Sequence, residues 1–217
     1  MSGHGNNNRR LVLGLVLLAS FVAVLVLIFL PLYGGQNGLD YLDNTYNAIS
    51  KASAYYIPKV LEEGEEYAGQ EFKVTLVFDR PEEAQRAETL FKAAGAATEL
   101  GGPELKVSGG LLPVMKVCLA DAEDVYRNQA DKLKERYQME GRLALYTWYL
   151  SLKAMIKDLN RQKSFAQVRF VDEVQSKAVE TAYNFHGIQG QSIKERWGVV
   201  SCPWPFMCCT LYGTDSR

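Results

Sequence analysis

The sequence predicts an α+β protein that begins with a single transmembrane helix, and three observations carry this prediction. Residues 11–30 are twenty consecutive uncharged residues. Residues 71–78 alternate between apolar and polar side chains, which is the period of a strand, and several later stretches repeat apolar residues at the three- and four-residue steps of a helix. We therefore expect a membrane helix followed by a helix-rich extracytoplasmic domain with a small antiparallel or mixed sheet.

Composition favours a folded domain and argues against nucleic-acid binding. Of the 217 residues, 47% are hydrophobic and 23% are charged, and 24 basic residues against 25 acidic ones leave a net charge of −1. Nucleic-acid-binding proteins need concentrated basic surface to offset phosphate charge. The sequence contains no nucleophile-elbow, zinc-protease, phosphate-loop or dinucleotide motif. We expect no catalytic residue, no cofactor and no nucleic-acid partner.

Residues 11–31 form the predicted transmembrane helix. Twenty helical residues at ~1.5 Å each span about 30 Å, which is the thickness of a bilayer's hydrocarbon core. Pro31 ends the apolar run. A cleaved signal peptide has a shorter apolar region of about 7–15 residues followed by a small-residue cleavage site, so we expect this helix to be retained as an anchor.

The charges beside the apolar run predict the orientation of the chain. Arg9 and Arg10 precede the helix, whereas the first charges after it are Asp40 and Asp43. The positive-inside rule then leaves residues 1–10 as a cytoplasmic tail and places the rest of the chain outside the cytoplasm. Because the chain contains no N-x-S/T sequon, we expect a bacterial inner membrane with the domain on the periplasmic side.

Residues 32–69 predict a juxtamembrane helical segment ahead of the main domain. Apolar residues recur there on one helical face, at Leu39, Leu42, Tyr46 and Ile49. Pro58 should break or kink the helix after Ile57. Ile57-Pro58, Tyr67-Ala68 and Glu71 resemble the I-P…Y-A-x-x-E stretch of LemA-type proteins, which also carry an N-terminal membrane helix. The strand-rich region that follows departs from that all-helical family, so no function is carried over.

Residues 70–217 form the predicted extracytoplasmic α+β domain. Its first strand is residues 71–78, and a helix should begin at Pro81 and end at Gly95. Its buried stripe is predicted at Ala84, Ala87, Leu90, Phe91 and Ala94. Two further strands, residues 104–107 and 111–119, are predicted around a turn at Ser108-Gly109-Gly110. Asp121 should then cap another helix, whose inward residues are predicted at Val125, Tyr126, Leu133 and Tyr137.

The order strand, helix, strand, strand, helix suggests a ferredoxin-like arrangement. A final strand at residues 193–201 would complete it, but only after a helical-hairpin insertion. The two helices of this insertion are predicted at residues 142–159 and from Ser164 onwards, where Ser164 and Gln167 have the spacing of a capping box. The short polar link between them predicts antiparallel packing.

Residues 197–212 are uncharged and contain three of the four cysteines, Cys202, Cys208 and Cys209. Outside the cytoplasm thiols tend to be oxidised, and a bond between adjacent cysteines is strained. We therefore expect a disulfide between Cys202 and one of Cys208 and Cys209, with Cys118 pairing the other if the fold brings it near. A soft-metal cluster for Cu(I) is an alternative use of the same residues.

A second feature of this segment is a rigid aromatic patch. Trp197, Pro203, Trp204, Pro205 and Phe206 are candidates for a docking surface that contacts lipid headgroups or a partner protein. His186, the only histidine outside the first ten residues, is interpreted as a surface or helix-end residue rather than a base.

The functional hypothesis from sequence is a non-enzymatic, membrane-anchored binding or assembly component of an envelope complex. Its expected partners are the lipid bilayer and a membrane or envelope protein, with self-association into an oligomer also open. The alternative is an envelope redox or metal-binding protein that uses the C-terminal cysteine cluster. A transmembrane sensor is disfavoured because ten cytoplasmic residues leave no output domain.

Overall fold

The computed structural model describes residues 4–191, and of residues 4–7 only the backbone. The chain divides into two units, Met1–Ala52 with Gln189–Arg217, and Ser53–Ile188. The described part of the first unit consists mainly of two helices, α1 and α2. The second unit is a helix-rich α+β domain with a three-stranded antiparallel sheet.

The elements of the whole described chain have the following bounds. The helices are α1 His4–Phe29, α2 Gly38–Ser53, α3 Ile57–Gly64, α4 Pro81–Ala93, α5 Leu111–Tyr126, α6 Asp131–Tyr137, α7 Gly141–Arg161, α8 Phe165–Val174 and α9 Thr181–Asn184, with a 3₁₀ turn at Glu65–Tyr67 and a π-helix at Gln175–Glu180. The strands are β1 Glu71–Val77, β2 Ala97–Gly101 and β3 Glu104–Gly110.

Helix α1 is apolar enough and long enough to cross a membrane. An 18-residue window within Asn8–Phe29 has a mean hydropathy of 3.2, and none of that window is buried inside the protein. These properties agree with the predicted apolar N-terminal helix and suit either a membrane anchor or a signal sequence.

The predicted juxtamembrane helical segment consists of α2, α3 and the 3₁₀ turn. Asn37 caps α2: its Oδ1 accepts from the backbone N–H of Asp40, and its amide donates to the Asp40 carboxylate, both at 2.8 Å. The chain leaves helical geometry at residues 54–56, and α3 restarts at Ile57. Pro58 therefore lies in the first turn of a helix, where its missing N–H costs no hydrogen bond, and does not kink a longer one.

The sheet has strand order β1-β3-β2, and both pairings are antiparallel. Val74 lies opposite Val107, and Leu76 lies opposite Leu105. These four side chains are at most 2% exposed, so one face of the sheet packs into the core. Gly102, with φ of 68°, starts the two-residue turn between β2 and β3, a position that favours glycine.

The predicted strand at residues 111–119 is wrong, since these residues form the first half of α5. Gly110 is the N-cap of α5 and not a hairpin turn, and Pro113 lies in the first helical turn. Asp121, predicted as an N-cap, lies in the interior of the helix. The hairpin instead turns at residues 102–103, between β2 and β3. The sequence does not predict β2, because its residues are mostly exposed and do not alternate between apolar and polar.

In the part of the chain that the structure describes, the outer edge of β1 is covered by side chains and not by a fourth strand. The Thr75 N–H donates to the Asp158 carboxylate at 3.0 Å, and the Lys73 carbonyl accepts from the Gln162 amide at 2.8 Å. The Glu71 carbonyl accepts from the Gln167 amide at 3.1 Å. These contacts satisfy backbone groups that an edge strand leaves open.

The ferredoxin-like arrangement is therefore not confirmed. The described strands give a split βαβ unit, but its β1 edge, where a fourth strand would pair, is occupied by α7 and the start of α8. Residues 193–201, the expected fourth strand, lie outside the described residues.

The predicted capping box at the start of α8 does not form. Ser164 makes no side-chain cap, and the Gln167 side chain contacts β1 instead.

Other helical predictions are confirmed. Helix α4 begins at Pro81, and its five predicted stripe residues are all buried. Helices α7 and α8 form the predicted hairpin and pack against each other. Trp148 of α7 lies at the centre of the core, where its indole meets the Phe91 ring edge-on with 5.2 Å between ring centroids.

Candidate functional site

One face of α7 carries a stripe of aromatic and basic side chains. Arg142, Tyr146, Tyr149 and Lys153 follow one another at steps of four, three and four residues, which places them on the same helical face. Tyr146 is 41% exposed. The Tyr146 and Tyr149 rings lie nearly parallel, with 6.3 Å between centroids and 21° between planes. The stripe therefore presents flat aromatic surface between two cations.

The π-helix after α8 fixes the opposite side of this surface. In a π-helix the hydrogen bonds join residues five apart, so Gln175 and Glu180 lie over each other. The Gln175 amide donates to the Glu180 carboxylate at 3.2 Å. The Gln175 Oε1 is buried without a hydrogen-bond partner in the described part of the chain. The Gln175 side chain therefore keeps this position at the cost of a buried oxygen without a hydrogen bond, and its amide orients the Glu180 carboxylate.

A groove lies between these two features, and we call it the tyrosine groove. Its volume is about 290 Å³. Its lining residues are Tyr146, Tyr149, Val179, Glu180, Tyr183 and Asn184. All of them belong to the second unit, and the tyrosine groove combines three aromatic rings with one carboxylate and one amide.

Two basic side chains lie against the aromatic rings of the tyrosine groove. The Arg142 guanidinium carbon is 4.8 Å from the centroid of the Tyr183 ring, and Lys153 Nζ is 5.9 Å from the centroid of Tyr149. Both distances fall within the range of cation–π attraction. Glu180 is the one acidic residue among the described residues that line the tyrosine groove, so the formal charge of these three side chains is two positive against one negative.

A smaller cavity of about 160 Å³ is lined in part by His186. His186 follows the end of α9, in agreement with its interpretation as a helix-end residue. Lys134 and Arg142 line it together with Asp131 and Glu140, so its charges balance. We assign no chemistry to it.

A polar cluster inside the core centres on the carboxylate of Asp121, which is fully buried in α5. Asp121 Oδ2 accepts from the Tyr137 hydroxyl at 2.7 Å and from the Trp148 indole N–H at 2.9 Å. The Arg136 guanidinium pairs with the other oxygen. Burial raises the pKa of Asp121 above its ordinary value, and the hydrogen bonds from Trp148, Tyr137 and Arg136 oppose that rise. The carboxylate thereby links α5, α6 and α7.

Cys118 lies one helical turn before Asp121 and is a free, fully buried thiol. Burial raises the pKa of this thiol well above its ordinary value, and the nearby charge of Asp121 raises it further. A thiol that stays protonated is a poor nucleophile and a poor metal ligand. The expectation that Cys118 enters a disulfide is not supported, because the fold places it in the core of the domain.

We expect Cys118 to resist alkylation until the protein unfolds. In a variant with Cys202, Cys208 and Cys209 changed to Ser, N-ethylmaleimide at neutral pH should leave the native mass unchanged and add one adduct in strong denaturant. Intact-mass spectrometry measures both states. Rapid modification of the native variant would show that Cys118 is accessible.

The other sequence-predicted site residues lie outside the described residues. These are the cysteines Cys202, Cys208 and Cys209 and the docking-surface candidates Trp197, Pro203, Trp204, Pro205 and Phe206. The cysteine staple, the soft-metal cluster and the docking surface thus stay predictions. Among the residues that the structure describes, no group of three or more His, Cys, Asp or Glu side chains could hold a metal ion.

Sequence reasoning missed the tyrosine groove. The helical spacing of the apolar residues between 142 and 159 includes Tyr149 and predicts that it is buried, whereas the structure leaves it partly exposed. The recurrence of Arg142, Tyr146 and Lys153 at helical steps around Tyr149 is a readable signal of an exposed face. The approach of Tyr183 was not readable, because it depends on the π-helix, which has no sequence signature in this chain.

Comparison with known protein families, with curated proteins and with solved structures finds no match for this chain.

Proposed function

We propose that this chain is a membrane-anchored binding protein, without catalytic activity of its own, that acts as an assembly component of a bacterial cell-envelope complex. The tyrosine groove is the observation that carries the proposal. A concave surface of aromatic rings with a few fixed polar groups is typical of ligand binding. Glu180 and Asn184 suit the orientation of a ligand, and they do not form a nucleophile and base pair.

The anchoring part of the proposal rests on α1 and its flanking charges. The helix is exposed along its apolar length, and Arg9 and Arg10 precede the apolar run. The positive-inside rule then places the N-terminus in the cytoplasm and the second unit in the periplasm. An anchored domain of this kind would keep its binding surface at the outer face of the inner membrane.

Protease added to intact spheroplasts should digest the second unit of the full-length protein. The measurement is an immunoblot with an antibody against that unit, and a cytoplasmic protein serves as the control for membrane integrity. A domain that survives until the membrane is breached would overturn the proposed orientation.

The binding role predicts contacts at the tyrosine groove inside cells. A photoreactive phenylalanine analogue at position 146 should give cross-linked adducts after illumination. The matched control is the same analogue at position 56, where Tyr56 is 47% exposed but lies outside the tyrosine groove. Equal labelling at both positions, or no adducts from position 146, would overturn the binding role of the tyrosine groove.

The redox or metal-binding alternative depends on Cys202, Cys208 and Cys209, which lie outside the described residues. Cys118 offers it no support, since a buried protonated thiol neither exchanges disulfides nor binds metal readily. No observation in the described residues favours this alternative over the binding role.

A further inference from the structure

We propose that the ligand of the tyrosine groove is a glycan strand of the bacterial cell wall, an inference that rests on the binding function proposed above. The apolar face of a pyranose ring consists of C–H groups, and its rim carries hydroxyl groups. Tyrosine rings match the apolar face by stacking, and tyrosine hydroxyls match the polar rim. The tyrosine groove holds three such rings, Tyr146, Tyr149 and Tyr183, within one concave surface.

The size of the tyrosine groove fits sugar rings better than a folded protein. Its volume of about 290 Å³ lies just below the range of about 300–1,000 Å³ that is usual for small-molecule sites. A stable protein–protein interface buries about 1,200–2,000 Å², which a groove of this size cannot supply alone. A linear strand can place one or two of its rings in the tyrosine groove and continue on either side.

The charges around the tyrosine groove disfavour a cationic ligand. A quaternary ammonium group would need the ring faces and a net negative surround. Here Arg142 already lies against Tyr183 and Lys153 against Tyr149, and Glu180 is the one acid among the lining residues of the described chain. A neutral or anionic ligand suits this arrangement, and wall glycans are neutral or anionic.

The polar groups of the tyrosine groove suit hydroxyl and amide recognition. Glu180 is held by Gln175, so its free oxygen is a fixed acceptor for a sugar hydroxyl. Asn184 adds both a donor and an acceptor. The walls are helices whose backbone groups are bonded within the helices, so the strand-addition mode of peptide binding is not open to a ligand here.

The test is sedimentation of the full-length protein, held in phospholipid nanodiscs, with purified murein sacculi. The protein should sediment with sacculi, and Tyr146→Ala and Asn184→Ala should each weaken this binding about tenfold or more, as loss of a central contact does. Tyr56→Ala is the matched control and should bind as the wild type does. Both groove substitutions are at exposed positions, and equal melting temperatures will confirm that the variants fold.

Competition separates the glycan from the peptide part of murein. Glycan strands freed of their peptides by an amidase should displace the protein from sacculi, whereas the released peptides should not. Displacement by the peptides, sedimentation that survives Tyr146→Ala, or absence of sedimentation would each overturn the glycan proposal. Discrete protein adducts from position 146 together with no sedimentation would reject the glycan and keep the binding function. If position 146 gives no adducts and the protein does not sediment with sacculi, both the glycan ligand and the binding function are rejected.

Discussion

Replacing Asp121 by Ala should cost about 3–5 kcal/mol of unfolding free energy, the range measured when one partner of a buried ionic contact is removed. The substitution leaves the Trp148 indole N–H and the Tyr137 hydroxyl without their acceptor, and the Arg136 guanidinium keeps only its contact with Asp124 at 3.3 Å. Trp148 is fully buried and Tyr137 nearly so. Water cannot easily replace the carboxylate around these two side chains, so their desolvation is left uncompensated.

Chemical denaturation of the full-length protein in detergent, followed by tryptophan fluorescence, measures the loss. Glu135→Ala is the matched control, because it removes an exposed carboxylate from α6, the helix that carries Arg136 and Tyr137. It should change the unfolding free energy by less than about 0.5 kcal/mol. Asp121→Asn keeps the shape and one acceptor, so its cost should fall between the two. A loss from Asp121→Ala as small as that of the control would show that the buried carboxylate does not link the three helices.

The Asp121 network also shows what the sequence could and could not indicate. Helical periodicity after Asp121 predicts that Leu133 and Tyr137 face inward, and both are buried, although they lie in a separate helix, α6. The partner of Tyr137 was not predictable, because residues 111–119 were assigned to a strand and Asp121 was therefore placed at a helix start. Two glycines before an apolar run are typical of a hairpin turn and equally compatible with a strand that runs into a helix N-cap. Only the pairing of β3 with β1 decides between them.

A similar limit applies to the edge of β1. Sequence alternation located the strand correctly, since its apolar residues need to face the core. The side chains that cover its outer edge come from the C-terminal end of α7, the following turn and α8, more than eighty residues away. Asp158 and Gln162 look like ordinary solvent-exposed helix residues in the sequence. Local patterns determine which face of an element is buried, whereas contacts between distant polar groups depend on the whole fold.

Phe170 is the anchor of α8, and Phe170→Ala should lower the unfolding free energy by about 3–5 kcal/mol, the usual cost of deleting a buried aromatic ring. Its side chain is 1% exposed. Its ring stacks on Tyr67 with 4.6 Å between centroids and 7° between planes. Gly64 lies so close that an added Cβ would be 2.7 Å from the Phe170 ring. The ring therefore fills a site between α8 and the end of α3, and its removal leaves a cavity there.

Phe165→Ala is the matched control for this substitution, because Phe165 is in the same helix and is 64% exposed. It should change the unfolding free energy by less than about 0.5 kcal/mol.

A double-mutant cycle that combines Phe170→Ala with Gly64→Ala tests the packing of the Phe170 ring directly. In the wild-type background the new methyl group meets the Phe170 ring and should destabilise the protein by about 1–3 kcal/mol. In the Phe170→Ala background the ring is gone, and the preference of helices for alanine over glycine should make Gly64→Ala neutral or stabilising by up to about 1 kcal/mol. Additive effects of the two substitutions would show that Gly64 is not required for the seating of Phe170.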